Sequence, residues 1–512
     1  MSDIVANKRI ARNSIFMSIR MVIVLFLSLY TTRAVLQILG VEDYGVYNVV
    51  CGFVSMFSFL NTSLSNGIQR FYNFEYSRNG NEGANSVYCM AVNIQIILAI
   101  IVAFLVEIAG VWYIGNKMVI PPERLYAAQW IFHLSVISFV FVILQSPYSA
   151  AIMAHENLSF YSCVCITDSI LRLIIVFCVP LFKCDSLILY GLFLTMISLL
   201  DFFLYVFYCK NKFDEIHYSF NINKELFISM IKFSGWNVFG SFSGVMKEQG
   251  INLVLNSFFG PVVNAARGVA AQVNAGLQGF VANIIVPARP QIIQSYAKGN
   301  VARTMSLTYT ISKLSCIVLY LMALPISWEI DYVLHIWLGE SVPEHSDMFV
   351  IIILITSLFN NLNAAISCVV HAIGKMKSYQ VATSTVSLTA VPLAYVALKL
   401  GASPEWALWM VCFTMIFVQA VALCILKGLI KFSISEYCHR VLMPLLGVIA
   451  LTIWIPGVIV CMVPPSFIRL LISVIVSCFS VMVSFYFIGL RKEEKEMIKV
   501  MINKMFSKFF RK

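Results

Sequence analysis

Three polar residues in an otherwise apolar stretch could together bind an anionic, hydroxylated group. The stretch runs from Gly260 to Gln291 and includes Arg267, Asn274 and Gln278. On a helix, with about 100° between successive residues, these three side chains fall within about 40° of one another. A guanidinium binds phosphate oxygens in pairs, and amides hydrogen-bond to hydroxyl groups. The alternative interpretation is that the amides only hydrogen-bond between packed helices.

A second polar face precedes this stretch in the chain. Five of its residues lie within about 80° of one another on a helix: Asn237, Ser241, Gly244, Glu248 and Asn252. Lys247, about 80° from the centre of this face, adds a second cation. Glu248 either neutralises Lys247 or another nearby cation, or serves as a protonatable group for ion coupling. We therefore take Asn237, Lys247 and Glu248 as further candidate site residues.

Other charged residues also lie within apolar segments, where ionisable groups normally mark a pathway or a pair. Asp168 and Arg172 are four residues apart, so we predict an ion pair with a structural, gating or ion-coupling role. Arg20 lies near one end of the first apolar segment. We expect Arg20 either to meet an entering ligand or to complement acidic lipid headgroups. Glu107 and Asp201 are weaker candidates for proton coupling.

The composition indicates that these polar residues lie in a membrane. Of the 512 residues, 60% are apolar and 12% are charged, whereas soluble domains have about 45–50% and about 25%. Apolar stretches long enough to cross a bilayer recur along the chain, and such stretches cross as helices. We predict an all-α polytopic membrane protein with fourteen spans, at residues 14–39, 47–71, 87–113, 127–153, 160–181, 187–208, 226–259, 262–286, 306–328, 348–373, 378–400, 406–426, 442–463 and 468–490.

The distribution of basic residues predicts the orientation of these spans. Most of the 36 Lys and Arg residues lie on one side if the loops alternate between the two faces of the membrane. Cytoplasmic loops retain Lys and Arg, so we place both termini in the cytoplasm. The first apolar segment is too long for the core of a cleaved signal peptide, and we expect it to remain as a signal anchor.

An internal repeat predicts the domain organisation. An offset of about 220 residues aligns RNSIF at 12–16 with KFSGW at 232–236, and matched segments keep the same order. Each half holds six helices, so the halves are parallel repeats around a central cavity, related by an axis along the membrane normal. The predicted divisions are an N-terminal six-helix bundle at 1–210, a cytoplasmic linker at 211–225, a second six-helix bundle at 226–430, two additional helices at 431–490 and a basic amphipathic cytoplasmic tail at 491–512.

No motif for metal, cofactor or nucleophilic chemistry is found in the sequence. The 14 cysteines lie mostly within predicted spans and lack metal-ligand spacing, and the seven histidines are scattered. No phosphate-binding loop or nucleophile elbow is present. The longest outer loop, at 328–347, is too short to fold over an active site. We expect no metal, no cofactor, no nucleic-acid partner and no enzymatic activity.

Two segments resemble a known family. They are NKRIARNSIF…SLYTTRAVLQILGVEDYGVYNVV at 7–50 and KFSGWNVFGSFSGVMKEQGINLVLNSFFGPVVNAARGVAAQVN at 232–274. Both are similar to the bacterial polysaccharide flippases, of the O-antigen type, in the multidrug/oligosaccharidyl-lipid/polysaccharide exporter superfamily. The resemblance extends over most of the chain and is strongest at the start of each six-helix half.

The resemblance implies a transporter in the bacterial inner membrane that flips a polyprenyl-pyrophosphate-linked oligosaccharide to the outer leaflet, for lipopolysaccharide or other polysaccharide synthesis. Its partners would be the lipid-linked oligosaccharide, membrane lipids and a polysaccharide polymerase, with a proton or sodium gradient as the energy source. The alternatives are a cation-coupled multidrug antiporter of the same fold and a membrane glycosyltransferase or polymerase. Arg267, Lys247 and Arg20 favour an anionic cargo, because an exporter of organic cations needs buried carboxylates with few competing cations.

Overall fold

The computed structural model describes residues 2–155, 157–220, 224–430, 432–491 and 495, with side chains from residue 19 onward except at 77, 233, 234, 236, 237, 287 and 290. All regular structure in these ranges is helical, so the prediction of an all-α protein is confirmed. A helix satisfies its own backbone hydrogen bonds, which the long apolar segments require in lipid. The predicted tail at 491–512 lies outside the described residues except at positions 491 and 495.

The helices of the described ranges follow one another along the chain. They are α1 (Ser2–Ser55), α2 (Ser58–Asn116), α3 (Leu125–Ala154), α4 (Leu158–Cys178), α5 (Ser186–Lys212), α6 (Lys224–Phe259), α7 (Pro261–Ala297), α8 (Val301–Trp328), α9 (Ile330–Leu338), α10 (Ser346–Ile373), α11 (Met376–Leu388), α12 (Ala390–Lys399), α13 (Glu405–Leu429), α14 (Ile434–Tyr437), α15 (Met443–Thr452), α16 (Trp454–Met462) and α17 (Phe467–Ser484).

Twelve helical stretches of the described chain are long and apolar enough to cross a membrane. They correspond to twelve of the fourteen predicted spans. The spans predicted at 47–71 and 226–259 do not form separate stretches of this kind, although they are helical as parts of α1, α2 and α6. Both are the most polar of the predicted spans, because their helices carry the amides, hydroxyls and charges that line the cavities described below.

Two glycines interrupt the longest helices. Gly40 in α1 has φ 84° and ψ 169°, and Gly80 in α2 has φ 61° and ψ −144°, so each of these helices consists of two segments joined by a kink. Such positive φ values strain any residue with a side chain. The two kinks fall at the predicted connections between the first and second spans and between the second and third spans. We expected loops between these spans, but in the structure the helix continues through each connection with a kink at a single glycine.

The chain divides into two compact units. The first comprises Met1–Gln272, Trp337–Phe349 and Ser384–Val411, and the second comprises Val273–Ile336, Val350–Thr383 and Cys412–Lys512. Helix α7 belongs to the first unit up to Gln272 and to the second from Val273. The predicted structural division into segments 1–210, 211–225, 226–430, 431–490 and 491–512 remains a prediction.

The first unit has two hydrophobic clusters that hold its helices together. One cluster contains Val46, Val106 and Phe132, from α1, α2 and α3. The other contains Tyr88 and Tyr205, from α2 and α5, together with residues of α3, α4 and α6. Burial of these side chains fixes the rotation of each helix about its axis. The polar faces of the same helices are thereby directed towards common cavities.

The second unit is packed around α8. Tyr320 and Thr452 share a hydrogen bond between their hydroxyls (3.1 Å), and the indole Nε1 of Trp328 donates to the carbonyl of Ile453 (2.8 Å). The ring of Trp328 lies so close to Gly457 that a Cβ there would be 2.7 Å from the indole. These contacts hold α8 against α15 and α16.

Candidate functional site

A group of two cations and one carboxylate lies in the first unit, at the start of α7 and in the middle of α6. The Nη2 of Arg267 donates to Oε2 of Glu248 at 3.0 Å, and Nζ of Lys247 lies 4.0 Å from the other oxygen, Oε1. Arg267 and Lys247 are both buried, at 8% exposure. Because one carboxylate cannot neutralise two cations, the group carries excess positive charge.

Arg267 retains unused hydrogen-bonding capacity. Its Nε is buried and has no hydrogen-bond partner among the residues that the structure describes. The bond to Glu248 uses only one of the five N–H groups of a guanidinium. The guanidinium can therefore donate further hydrogen bonds to the oxygen atoms of a ligand.

Lys247 and Glu248 line a cavity of about 550 Å³ within the first unit. Its other polar lining groups include the hydroxyls of Ser58, Thr62 and Ser241, from α2 and α6. The hydroxyl of Ser63, beside this lining, donates to that of Ser241 at 3.1 Å. This cavity is lined by hydroxyls, the cation Lys247 and the carboxylate Glu248, and Arg267 donates to that carboxylate. Such a lining suits an anionic ligand with polar substituents.

Buried amides hold the beginning of α7 in place. The Nδ2 of Asn264 donates at 2.7 Å to both the carbonyl and the side-chain oxygen of Asn252. The Nδ2 of Asn252 in turn donates to the carbonyl of Asn48 at 3.2 Å. A Cβ at Gly268 would be 2.9 Å from the side chain of Asn48, so glycine permits this close approach of α7 to α1. These contacts position Arg267, which lies one turn after Asn264.

The three-residue stripe predicted on α7 lies across the division between the two units, and its role as one site remains a prediction. Arg267 belongs to the first unit, whereas Asn274 and Gln278 belong to the second. Within that second unit, Oδ1 of Asn274 accepts a hydrogen bond from Ser357 at 2.7 Å. This contact between helices is the structural role that we weighed as the alternative for the amides. The side chain of Asn237, also predicted for the site, lies outside the described residues.

A second cavity in the first unit contains the predicted ion pair. Its volume is about 380 Å³, and it is lined by residues of α2, α3, α4 and α5. The Nε of Arg172 donates to both carboxylate oxygens of Asp168 at 2.9 Å, as the spacing of these two residues predicts. Asp201 also lines this cavity. The role of the Asp168–Arg172 pair in gating or ion coupling remains a prediction.

Arg20 is associated with this second cavity. Its guanidinium carbon lies 5.3 Å from the centre of the Tyr161 ring, and its Nη1 is 3.7 Å from the sulfur of Cys165. Tyr161 and Cys165 both line the cavity. The sequence placed Arg20 in a common cavity with Arg267 and Lys247, but its partners in the structure belong to a different cavity of the first unit.

Two other groups of titratable residues in the first unit lie within hydrogen-bonding distance of one another. Arg124 donates to both carboxylate oxygens of Asp43 and, through Nη1, to Asp185 at 2.7 Å. Asp185 also caps the start of α5, accepting hydrogen bonds from two backbone amides of its first turn. Glu107, a weaker candidate for proton coupling, lies 2.9 Å from Nδ1 of His133.

The buried carboxylate of Glu215, outside the spans, holds the segment between α5 and α6 in place through hydrogen bonds. Oε1 of Glu215 accepts hydrogen bonds from the hydroxyl of Tyr72 (2.7 Å) and from Nε2 of His155 (2.5 Å). Burial on its own would raise the pKa of Glu215, but these hydrogen bonds outweigh it and lower the pKa below its ordinary value. Asn85 also donates to the backbone carbonyl of Glu215 at 2.6 Å.

Comparison with known proteins shows a distant relative. No family model matches the chain. The chain is 21% identical over 326 residues to the uncharacterized membrane protein EpsK of Bacillus subtilis (strain 168). The match takes in 62% of this chain and spans 63% of the length of that relative.

Solved structures share the fold over most of the chain. The lipid II flippase MurJ in an inward closed conformation has a TM-score of 0.72 at 15% identity, covering 92% of this chain and 98% of that one. An inward-facing multidrug resistance MATE family transporter of the MOP superfamily has a TM-score of 0.62 at 13% identity, covering 81% and 99%. A MOP superfamily transporter from Pyrococcus furiosus has a TM-score of 0.58 at 13% identity, covering 82% and 96%.

The fold and the helical spans define the class of this molecule. It is an all-α, multi-pass membrane protein with the fold that the MurJ flippase and the MATE transporters have in common. At these identities the likeness concerns the fold, and the cargo has to be argued from the side chains of this chain.

Proposed function

We propose that this protein is a transporter of the MOP superfamily, not an enzyme, and that it moves a polyprenyl-pyrophosphate-linked oligosaccharide from the cytoplasmic to the outer leaflet of a bacterial inner membrane. It works by alternating access and supplies polysaccharide synthesis, of which O-antigen for lipopolysaccharide is one form. Both termini are cytoplasmic, a proton or sodium gradient drives the step, and a polysaccharide polymerase uses the delivered cargo.

The excess positive charge beside the first cavity carries this proposal. Arg267 and Lys247 are buried and share the single carboxylate of Glu248. Ionisable groups within membrane helices are costly and are normally retained for a pathway or a pair. A pyrophosphate supplies two negative phosphates, and a guanidinium binds phosphate oxygens in pairs. The fold shared with the MurJ flippase, a protein described as acting on lipid II, supports the same class of cargo.

Glu248 would exchange places with the cargo. The guanidinium of Arg267 donates to Glu248 at 3.0 Å. An arriving pyrophosphate would take over the guanidinium and displace the carboxylate, whose side chain is 60% exposed and therefore able to move away. Because the two anions compete for one cation, the carboxylate would also favour release of the cargo on the opposite side. Uptake of a proton by the displaced Glu248 would couple the step to a gradient.

A cation-coupled multidrug antiporter is the second candidate. The observation that favours it is the second cavity, whose lining holds two carboxyl groups, Asp168 and Asp201, besides the cation Arg172, with Arg20 next to it. The shared fold with MATE transporters agrees with this alternative. The two candidates differ in the charge of the cargo, which is negative for the flippase and positive for the antiporter. Arg267 and Lys247 would repel organic cations.

The identity of the cargo can be tested by depleting the protein in its host. We expect polyprenyl-pyrophosphate-linked saccharides to accumulate in the extracted lipids, as measured by mass spectrometry. In spheroplasts a lectin, which cannot cross the membrane, should bind less of the lipid-linked sugar after depletion. Re-expression should reverse both effects.

The same depleted cells distinguish the two candidates. Unchanged lipid-linked saccharides together with slower efflux of a fluorescent organic cation would reject the flippase and support the antiporter. An exposed cation outside both cavities provides the control, because Arg303→Ala at the start of α8 should complement fully. Failure of that variant would indicate a general loss of folding or insertion.

A further inference from the structure

The second cavity of the first unit has the size and construction of a ligand site. Its volume of about 380 Å³ falls in the range of roughly 300–1,000 Å³ that small-molecule sites occupy. Four helices, α2 to α5, contribute to it. Neither the charge argument for Arg267 nor the exchange with Glu248 uses any residue of this cavity.

The lining follows from helical spacing on each contributing helix. On α2, Asn61, Ser65 and Gln69 are spaced four residues apart, so they share one face. On α5, Asp201 and Tyr205 have the same spacing. Polar residues in membrane helices must face protein or an aqueous cavity. In the structure the polar faces of these neighbouring helices line one cavity.

Several lining groups are held in fixed positions by hydrogen bonds. The side-chain oxygen of Asn61 accepts from Nε2 of Gln95 and from the hydroxyl of Ser65, each at 3.4 Å. The hydroxyl of Ser65 also shares a hydrogen bond with that of Ser146 on α3. Gln95 is fully buried behind this network. Such support keeps the polar groups oriented before a ligand arrives, which lowers the cost of binding.

We infer that this cavity binds the uncharged saccharide part of the cargo, as a subsite separate from the cation group at Arg267. Sugar hydroxyls both donate and accept hydrogen bonds. Amides such as Gln145 offer an acceptor and donors in one plane, the carboxyl groups accept, and Arg172 donates. The rings of Tyr161 and Tyr205 add apolar surface for the C–H faces of a sugar. This inference rests on the proposed function.

The charges and the polar lining of the cavity fit a saccharide better than a pyrophosphate or a bare cation. Two carboxyl groups, Asp168 and Asp201, accompany two guanidinium groups, Arg172 in the lining and Arg20 beside it. The cavity therefore has no excess positive charge for a pyrophosphate. A bare cation would use only the carboxyl oxygens and would leave the amides and hydroxyls of α2 and α3 without a role. Oδ1 of Asp201 is buried and has no hydrogen-bond partner within the described ranges, so it can accept from a ligand hydroxyl.

Two cysteines of α4 provide a matched pair of reporters. Cys165 lines the cavity, whereas Cys163, two residues earlier, is exposed and does not line it. We would prepare full-length protein in lipid nanodiscs with either Cys165 or Cys163 as the sole cysteine. The rate of alkylation by N-ethylmaleimide would be measured with increasing glucose or N-acetylglucosamine, and with glucuronate as the anionic probe.

We expect the neutral sugars to slow alkylation of Cys165 in a saturable manner, about twofold at a concentration equal to the Kd. Glucuronate should protect less, and Cys163 should be unaffected by all three sugars. The inference is wrong if neutral sugars leave the rate at Cys165 unchanged up to their solubility limit. Equal slowing at Cys163 and Cys165 would also overturn it, because that would indicate a general effect on the reagent or the bilayer.

A variant on α3 tests the proposed contacts. Gln145→Ala removes a lining amide, and Gln129→Ala removes an exposed amide on the same helix that is not part of the lining. We expect Gln145→Ala to weaken the protection of Cys165 by at least severalfold and Gln129→Ala to leave it unchanged. Full protection in Gln145→Ala, or equal loss in both variants, would contradict the inference.

The outcomes separate this inference from the proposed function. If depletion leaves lipid-linked saccharides unchanged, the proposed function is wrong, whatever the sugars do at Cys165. If depletion makes them accumulate and Arg267 is required, but neutral sugars do not protect Cys165, the transporter stands and the saccharide subsite is wrong.

Discussion

Arg267 and Glu248 are joined by a hydrogen bond of 3.0 Å between Nη2 and Oε2, and the same carboxylate lies 4.0 Å from the ammonium of Lys247. The two cations come from different helices, α7 and α6. A single carboxylate therefore contacts both cations. The amide contacts of Asn264 and Asn252 hold the guanidinium at this position, so its location does not depend on the ion pair alone.

Replacement of Arg267 should separate charge from geometry. We expect Arg267→Ala to lose export by more than tenfold, since hydrogen bonds to charged groups contribute about 1.5–3 kcal/mol. Arg267→Lys should retain part of the activity, because lysine keeps the charge but cannot form a bidentate pair. Asn274→Ala should be milder, since it removes a hydrogen bond to Ser357 within the second unit and leaves the cations in place. Surface polysaccharide at matched protein levels is the measurement.

A double variant tests the opposing view that Arg267 only neutralises Glu248. If that view is correct, Arg267→Met combined with Glu248→Gln removes both charges and should restore export. We expect the double variant to remain inactive, because the cargo would still lack its guanidinium. Normal export by this variant would show that Arg267 does not bind the pyrophosphate of the cargo.

The buried ion pair of the second unit should contribute strongly to stability. Nη2 and Nε of Arg469 donate to Oε2 of Glu329 at 2.6 and 3.1 Å, and Glu329 is 1% exposed. Removing one partner leaves a buried charge, so Glu329→Ala should cost about 3–5 kcal/mol. Thermal unfolding of the purified protein in detergent is the measurement.

A surface pair in the same unit is the control. Glu436 and Arg440 are partly exposed and lie four residues apart, with 2.6 Å between Oε1 and Nη2. Glu436→Ala should change the stability by less than about 1 kcal/mol. Equal losses from the two substitutions would show that the burial of Glu329 does not govern its contribution.

Glu215 should make stability depend on acid pH. Its pKa is lowered from the ordinary value of 4.5 by hydrogen bonds from His155 and Tyr72 that outweigh the effect of burial. A carboxyl with a depressed folded-state pKa contributes stability that is present above 4.5 and is lost as the pH falls through the lower folded-state pKa. Glu215→Gln should therefore lower Tm at neutral pH. The difference in Tm from the unsubstituted protein should become smaller as the pH falls through the folded-state pKa of Glu215.

The exposed Glu225 on α6 is the matched control for this effect. Glu225→Gln should leave the pH dependence of Tm unchanged. A curve for Glu215→Gln that runs parallel to that of the unsubstituted protein down to the lowest pH would show that the hydrogen bonds do not favour the ionised form.

The orientation predicted from the basic residues can be tested with two single-cysteine proteins that lack the native cysteines. The substitutions are Glu340→Cys and Asp214→Cys. Position 340 lies between α9 and α10, in the loop predicted to be outside, and position 214 lies between α5 and α6, in the segment predicted to be cytoplasmic; Glu340 and Asp214 are both exposed. A membrane-impermeant maleimide added to intact cells should label position 340 and not position 214. The reverse pattern would overturn the assignment of both termini to the cytoplasm.

The sequence by itself determined the helical class and the positions of nearly all the spans. Twenty or more apolar residues in lipid can satisfy their backbone only as a helix, so composition and length suffice for that conclusion. The same argument was weakest at 47–71 and 226–259, where cavity-lining polar residues dilute the apolar signal. The ion pair of Asp168 and Arg172 was also predictable, because both residues lie on one face of one helix.

Only the tertiary structure decided which faces meet. Helical spacing places Arg267, Asn274 and Gln278 on a common stripe, but contacts beyond the helix divide that stripe between two units. The association of Arg20 with Tyr161 and Cys165 joins residues far apart in the chain. The periodicity of a helix determines which of its sides is polar. Which other helix that side contacts depends on how all the helices pack. That packing is set by side-chain shape and close approaches such as Gly268 against Asn48, which no single segment contains.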